Sequence, residues 1–127
     1  MSSTVDRGRH AENMAASFLS LAGYFVIARN VRFGPLDIDL VARRGDVLAI
    51  VEVKYRRREK LGGAGGSVGA AKIRHLETAA VRFVRARGLP GVRLRFGGVL
   101  IETHEDGRTV VLKHIPNAFP ATGRYAL

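Results

Sequence analysis

Three carboxylates and a lysine stand close together in two neighbouring stretches of the sequence. Asp37 and Asp39 are separated by one residue, and about a dozen residues later Glu52 and Lys54 are separated in the same way. Mg²⁺ is commonly held by one or two protein carboxylates, with water and phosphate oxygens completing its shell. A lysine beside such a cation can hold the attacking water or neutralise a phosphate. This combination of residue types is suited to metal-assisted hydrolysis of a phosphodiester bond.

Two predicted strands carry these residues and are joined as a hairpin. The stretches 36–42 and 47–55 are rich in strand-forming residues, and the connection 43–46 contains a glycine. Strict alternation along the first strand places Asp37 and Asp39 on one face and the apolar residues around them on the other. The register of the hairpin then decides whether the carboxylates of the two strands meet.

A hairpin loop with an even number of residues brings the carboxylates together, and this is the register we favour. It pairs Asp37 with Glu52, and Asp39 then lies opposite Ile50 on the same face, whereas an odd loop separates the carboxylates. Like charges gathered on one face are destabilising, and a divalent cation would offset that cost. An isolated Glu-X-Lys sequence is usually a solvated ion pair. The acidic pair on the adjoining strand favours a functional site instead.

The composition limits the class of protein and the kind of partner. The 127 residues suffice for one domain, predicted over 1–127 with a core at about 6–119, and 46% hydrophobic and 25% charged residues are typical of a globular protein. The net charge of +10 favours a polyanionic partner such as nucleic acid. The absence of cysteine excludes disulfides, thiolate metal sites and cysteine nucleophiles. No apolar run is long enough to span a membrane, so we expect a cytoplasmic protein without a membrane partner.

Hydrophobic periodicity predicts the remaining elements, in the order α-β-β-β-α-β-β of an α/β protein. A helical pattern over 6–22 ends at Gly23, and another over 70–87 ends at Gly88. The other predicted segments are strands at 24–28, 92–102 and 109–115, a loop at 30–35, a mobile glycine-rich flap at 60–69, and flexible ends at 1–5 and 120–127.

These residues together resemble the PD-(D/E)XK nuclease superfamily, in which an Asp on one strand precedes Glu-X-Lys on the next. The chain is similar to the YraN family of small bacterial proteins, which is related to endonucleases and Holliday-junction resolvases. The matching positions span about residues 7–119 and are Gly8, Glu12, Gly23, Tyr24, Asn30, 37–42 (DIDLVA), 51–54 (VEVK), Arg56, Lys72 and 115–119 (IPNAF). The resemblance implies a restriction-endonuclease-like fold, with a central mixed β-sheet flanked by helices.

The resemblance also implies roles for individual residues. Catalysis would rest on Asp39, Glu52 and Lys54. A Mg²⁺ or Mn²⁺ ion would be held by Asp39 and Glu52, with Glu12 and Asp37 as further metal ligands.

The sequence departs from the family pattern at two positions. Asp37 stands where the family usually has Glu, which keeps a carboxylate with a shorter reach. Gly97 follows Arg95 and Phe96 where the family tends to carry Asp. The second departure keeps open the alternative of a protein that retains the fold without its activity.

Basic residues near the predicted site are candidates for contacts with nucleic-acid phosphates. Lys72 lies on the apolar stripe of the second predicted helix, in its first turn, and we expect it to point toward the sheet. Simpler roles stay open, since the Lys72 stem could merely cover apolar surface and Glu12 could be solvated or cap its helix. The other candidates are Arg56, Arg57, Arg58 and Lys60, in the basic run that follows the second strand.

The predicted function is metal-dependent hydrolysis of phosphodiester bonds in DNA, with branched DNA as a candidate substrate and repair or recombination as the setting. The alternative is a non-catalytic nucleic-acid-binding module that retains the nuclease fold. A third possibility is an accessory protein that docks onto a repair machine through its basic face. An enzyme that cuts junctions would need to be a homodimer, because two strands must be cut.

Overall fold

The structure, a computed structural model, describes residues 4–57 and 70–118. The predicted glycine-rich flap, Arg58, Lys60 and the predicted end at 120–127 lie outside these residues. No helix in the described part of the chain is long and apolar enough to cross a membrane. The elements are α1 (Thr4–Leu21), β1 (Phe25–Phe33), β2 (Leu36–Arg44), β3 (Val47–Arg57), α2 (Ala70–Arg87), β4 (Arg93–Thr103) and β5 (Val110–Ile115).

The strands form one five-stranded mixed sheet in the order β1-β2-β3-β4-β5. The pairs β1–β2, β2–β3 and β4–β5 are antiparallel, and β3–β4 is parallel. Parallel neighbours need a crossover connection, and α2 lies in the segment that joins β3 to β4. The α/β prediction, with its element order and its mixed sheet flanked by helices, is confirmed.

Each helix buries its apolar stripe against a different face of the sheet. In β3, Leu48 and Ile50 join the core cluster of α2, whereas Ala49 and Val51 join that of α1. This alternation assigns each position of β3 to one face. The helical residues of the two clusters are Ala11, Ala15, Ala16 and Leu19 on α1, and Leu76, Ala79, Ala80, Phe83 and Val84 on α2.

Both helices end where a glycine predicted their end. Gly23 has a φ of 94° and Gly88 a φ of 59°, a left-handed conformation that glycine adopts without a steric cost. After α2, the N–H of Leu89 donates to the carbonyl oxygen of Val84, which satisfies a carbonyl in the last turn. At its other end α1 begins at Thr4, so two residues of the predicted flexible lead are helical.

β1 is longer than predicted, and the predicted loop at 30–35 is wrong. The strand pairs with β2 up to Phe33 and Leu36, so that only Gly34 and Pro35 form the connection. Asn30 lies inside the strand with a φ of 50°. A left-handed residue disturbs the regular alternation of side chains, and the sequence of this segment therefore lacks the pattern of a continuous strand.

Candidate functional site

The β2–β3 hairpin has an even loop, as predicted, but the loop lies one residue later than expected. Arg44 pairs with Val47, so the turn consists of Gly45 and Asp46. Gly45 has a φ of 62°, as the first position of a tight hairpin turn requires. The turn residues therefore set the register of the strands that carry the carboxylates.

The register of this hairpin differs by two residues from the predicted one. The ladder pairs Ile50 with Val41 rather than with Asp39. The predicted pairings of Asp37 with Glu52 and of Asp39 with Ile50 are therefore wrong. Continuing the observed spacing places Asp39 at the level of Glu52.

Side-chain alternation in β2 breaks next to Asp39. Ile38 and Val41 pack in the α2 cluster and Leu40 packs in the α1 cluster, so Ile38 and Leu40 lie on opposite faces, against the prediction. In β1 the residue at the level of Asp39 is Asn30, with its left-handed backbone. Both strands are thus irregular where Asn30 lies beside Asp39. The Asp39 side chain therefore does not have to point to the face that strict alternation would assign to it.

The carboxylate of Asp39 takes the place of a backbone acceptor. Its Oδ2 accepts a hydrogen bond of 2.8 Å from the backbone N–H of Val53, beyond the last regular pair of the hairpin. Burial raises the pKa of Asp39 to about 6, although the Val53 bond acts in the opposite sense. The negative charges of Glu52, Glu12 and Asp37 add to the rise, in that order. Bringing a cation to this carboxylate would relieve an electrostatic cost.

Glu52 lies on the α2 face of the sheet, against Lys72. Its Oε1 is 3.3 Å from Nζ of Lys72 in the first turn of α2. The Glu52 side chain is 19% exposed and the Lys72 side chain 41%. Lys72 therefore points toward the sheet, as its place on the apolar stripe predicted, and compensates the charge of Glu52.

The other two predicted ligands lie at the margin of this pair. Glu12 is half-buried on α1, and Asp37 is exposed on β2. Because Ile38 packs with α2, alternation directs Asp37 away from the face of Glu52. The predicted gathering of three carboxylates on one face is therefore wrong, although Glu12 and Asp37 are close enough to raise the pKa of Asp39.

The donor set fits a metal held by two protein carboxylates. Within residues 4–57 and 70–118, no group of three or more Asp, Glu or His side chains is placed to hold a metal ion. Asp39 and Glu52 are the two carboxylates at the open end of the hairpin that could offer oxygen ligands. Carboxylate and water ligands suit Mg²⁺ and Mn²⁺, and Mg²⁺ commonly uses one or two protein carboxylates with water and phosphate.

The predicted basic residues of β3 differ in their surroundings. Lys54 is exposed and lies on the face of Glu52, two residues away. Arg57 is exposed at the end of the strand. Arg56 is half-buried, and its Nε donates to Oε2 of Glu102 at 3.0 Å. This arginine is therefore held by the protein itself.

The two residues that complete this ion cluster were missed in the sequence. Glu102 on β4 is only 4% exposed, and Nζ of Lys113 on β5 lies 3.4 Å from its Oε1. Burial raises the pKa of Glu102, but the bonds from Arg56 and Lys113 outweigh this effect and bring the pKa below its usual value. The available signal was that Glu102 follows the apolar run 99–101 in a predicted strand. This position indicates burial, but it does not show which cations lie beside the carboxylate.

Gly97 lies at a close approach between β4 and the segment after β5. A Cβ at this position would lie 3.0 Å from the carbonyl oxygens of Ile115 and Pro116. The N–H of Ala118 donates to the carbonyl oxygen of Phe96 at 2.9 Å and holds this segment in place. A residue with a Cβ at position 97 would require these carbonyl groups to shift by a few tenths of an ångström.

The fold and the site define an α/β protein with two carboxylates at the open end of a hairpin, one paired with a lysine. The profile of the family described as "Uncharacterised protein family UPF0102" matches residues 11–101, and the chain belongs to this family. A UPF0102 protein of Symbiobacterium thermophilum is 44% identical over 114 residues, covering 90% of this chain and 96% of that protein. One from Dechloromonas aromatica is 40% identical over 118 residues, covering 93% and 92%.

Among solved structures, the chain is similar to SfsA from Pyrococcus furiosus in complex with Ca²⁺. The TM-score is 0.43 and the sequence identity 12%. The similarity covers 90% of this chain and 64% of that one, so this chain spans less than two-thirds of the length of SfsA.

Proposed function

We propose that this protein is a metal-dependent endonuclease that hydrolyses phosphodiester bonds in DNA. The observation that carries the proposal is the position of Asp39, bound to the N–H of Val53, at the level of Glu52. Lys54 follows on the face of Glu52, and the net charge of +10 supports a polyanionic substrate. Branched DNA, and a setting in repair or recombination, are the finer part of the proposal and rest on the resemblance to PD-(D/E)XK nucleases.

Asp39 and Glu52 are the residues that would hold Mg²⁺ or Mn²⁺. When bound, such an ion supplies an activated water and stabilises negative charge on the phosphate. The protein alone bears an electrostatic cost at Asp39, because burial and neighbouring carboxylates disfavour its charged form. A site that binds a cation gains by relieving this cost.

Two lysines give the site its positive charge. The exposed ammonium of Lys54 can orient the attacking water or neutralise a phosphate oxygen. Lys72 contacts Glu52 at 3.3 Å and would have to yield this carboxylate to a metal ion. It would then lie beside the position of the phosphate.

A nicking assay tests the proposal directly. Supercoiled plasmid and a synthetic four-way junction are incubated with Mg²⁺ or Mn²⁺. Glu52→Gln and Lys54→Met are expected to lower the rate at least about 100-fold while DNA binding persists. Glu105→Gln removes an exposed carboxylate in the β4–β5 turn and is expected to retain activity. Nicking that survives both site substitutions would point to a contaminant or a different site.

Metal binding has a readout that does not depend on activity. A metal ion that binds only the folded protein, at a free concentration of about 100 times its Kd, adds about 2.7 kcal/mol to the free energy of unfolding. We expect Mn²⁺ to raise the melting temperature of the wild type and to leave Asp39→Asn unchanged. An equal rise in both proteins would place the metal elsewhere.

The second candidate is a nucleic-acid-binding module without catalysis. It is favoured by Lys72, which already compensates Glu52, and by the close packing at Gly97. Wild-type protein that binds DNA, shows no nicking and gains no stability from metal would establish this function and reject the first.

A further inference from the structure

The part of the sheet beyond Phe96 on β4, together with β5, lies outside the core cluster of α2 within residues 4–57 and 70–118. α2 packs mainly against β1 and β2, and α1 packs on the opposite face. Alternation brings a row of polar side chains onto this part of the sheet, beginning at the candidate site. Its members are Glu52, Lys54 and Arg56 on β3, Glu102 on β4 and Lys113 on β5.

Glu102 lies at the centre of an ion cluster on this face, and the members of the cluster come from β3, β4 and β5. It lies directly opposite Arg56 in the parallel ladder, and each of its carboxylate oxygens faces one cation. The Nε of Arg56 is 3.0 Å from Oε2, and the Nζ of Lys113 is 3.4 Å from Oε1. The side chain of Glu102 is 6% exposed, whereas that of Lys113 is 58% exposed.

Stabilisation of the folded state does not by itself explain why this position carries an ion cluster. Burying a carboxylate removes its hydration, and well-packed apolar residues often stabilise a core as much or more. The cluster carries a net charge of about +1, and it holds cationic groups from two strands at the surface. An ammonium group has three donors, so Lys113 can contact Glu102 and an external anion together.

We propose that Arg56, Glu102 and Lys113 form a second phosphate-binding point for nucleic acid, apart from the candidate cleavage site. Glu102 is a positioning residue that holds the two cations in place. This inference rests on the nucleic-acid substrate of the proposed function.

The distance between the two sites suits one bound DNA. Arg56 follows Glu52 by four residues, which is about 13 Å at the rise of a β-strand. That length corresponds to about four base pairs at 3.4 Å each. DNA with one phosphate at the Asp39–Glu52 pair would therefore reach the cluster with a nearby phosphate, which would orient the DNA along β3.

The test is DNA binding in EDTA, so that neither metal nor cleavage contributes. The Kd of a labelled duplex is measured by fluorescence anisotropy between about 50 and 200 mM salt. Each phosphate contact contributes about 0.9 to the slope of log K against log salt. We expect Lys113→Met to reduce the slope by about 0.9 and to raise the Kd about threefold to tenfold. Lys113→Arg is expected to retain both values.

A matched control separates a specific contact from the loss of one positive charge. Arg82→Met removes the same charge from an exposed position on α2 and is expected to change both values less than half as much. Circular dichroism checks that each variant is folded. An equal effect of Arg82→Met and Lys113→Met would overturn the inference.

A double-mutant cycle tests the positioning role of Glu102. If Glu102 holds Lys113 in place, the effect of Lys113→Met falls to less than half in a Glu102→Gln background, and an unchanged effect rejects this role. If Glu102→Gln does not fold, the comparison of Lys113→Met with Arg82→Met decides alone.

The inference and the proposed nuclease activity can fail separately. Unchanged binding by Lys113→Met overturns the inference even where Glu52→Gln has abolished nicking. A reduced salt slope in a protein that never nicks DNA supports the inference and rejects the nuclease. A wild type that does not bind DNA rejects both.

Discussion

Replacing Asp39 with asparagine tests the energetics of the candidate site without using its activity. The substitution keeps the shape of the side chain and an oxygen that can accept from the N–H of Val53, but it removes the charge. The pKa of Asp39 is raised from 3.8 to about 6, so the Asp39 carboxyl group binds its proton more tightly in the folded protein than in the unfolded chain. Stability therefore falls as the pH rises between these values, and the full cost is present above about pH 6.

The size of the effect follows from the difference between the two pKa values. That difference is about 2.2 units, and at about 1.4 kcal/mol per unit it amounts to about 3 kcal/mol at neutral pH. As the pH falls and Asp39 becomes protonated, this cost to the free energy of unfolding decreases to about 1.6 kcal/mol at about pH 5 and about 0.5 kcal/mol at about pH 4. We therefore expect Asp39→Asn to raise the free energy of unfolding by about 2–3 kcal/mol at about pH 7.5 and by less than about 1 kcal/mol at about pH 4.

Urea unfolding followed by circular dichroism, in EDTA, measures these differences. Asp46→Asn is the matched control, because the hydrogen bond from Arg93 lowers the pKa of Asp46 and gives the opposite trend. The stability due to Asp46 is present at neutral pH and is lost as the pH falls, so Asp46→Asn is destabilising at neutral pH and less so in acid. A destabilised Asp39→Asn at neutral pH, or an effect that is equal at both pH values, would show that the folded protein does not disfavour the charged form of Asp39.

Two further predictions concern the backbone around the site. Gly97→Ala is expected to lower the free energy of unfolding by about 1–3 kcal/mol, because its Cβ would lie 3.0 Å from the carbonyl oxygens of Ile115 and Pro116. Gly98→Ala, whose Cβ meets nothing closer than 3.7 Å, is expected to cost less, and the reverse order in urea unfolding would contradict the close packing at Gly97. Asn30→Val is expected to cost about 1–2 kcal/mol and Asn30→Gly little, because only the β-branched residue is strained at a φ of 50°. Thermal melting of the two variants checks this order.

Local sequence patterns predicted most of the fold. The bounds of α2, Ala70–Arg87, are those predicted from periodicity and from the stop at Gly88. Helix periodicity and glycine stop signals depend on residues only a few positions apart, so the sequence displays them directly. The pattern failed at Asn30, where a left-handed residue inside β1 removes the regular alternation.

The candidate site was predictable in part, because a hairpin loop with an even number of residues decides which side chains of the two strands share a face. A shift of two residues leaves every side chain on the same face, so the apolar pattern cannot distinguish the predicted register from the observed one. The turn at Gly45 and Asp46 makes that choice. Asp39 and Glu52 consequently come together at a different level from the one predicted.

The order of the elements, the basic charge and the residues of the candidate site follow from the amino-acid sequence alone. The contact of Lys72 with Glu52, and the contacts of Glu102 with Arg56 and Lys113, arise from the packing of the whole chain and are not visible in the sequence. Arg56 and Glu102 are 46 residues apart in the chain. Their contact depends on the crossover that sets β4 beside β3 and on the packing of the whole sheet. No local pattern carries that information, because the free energy that selects the strand order is distributed over the entire core.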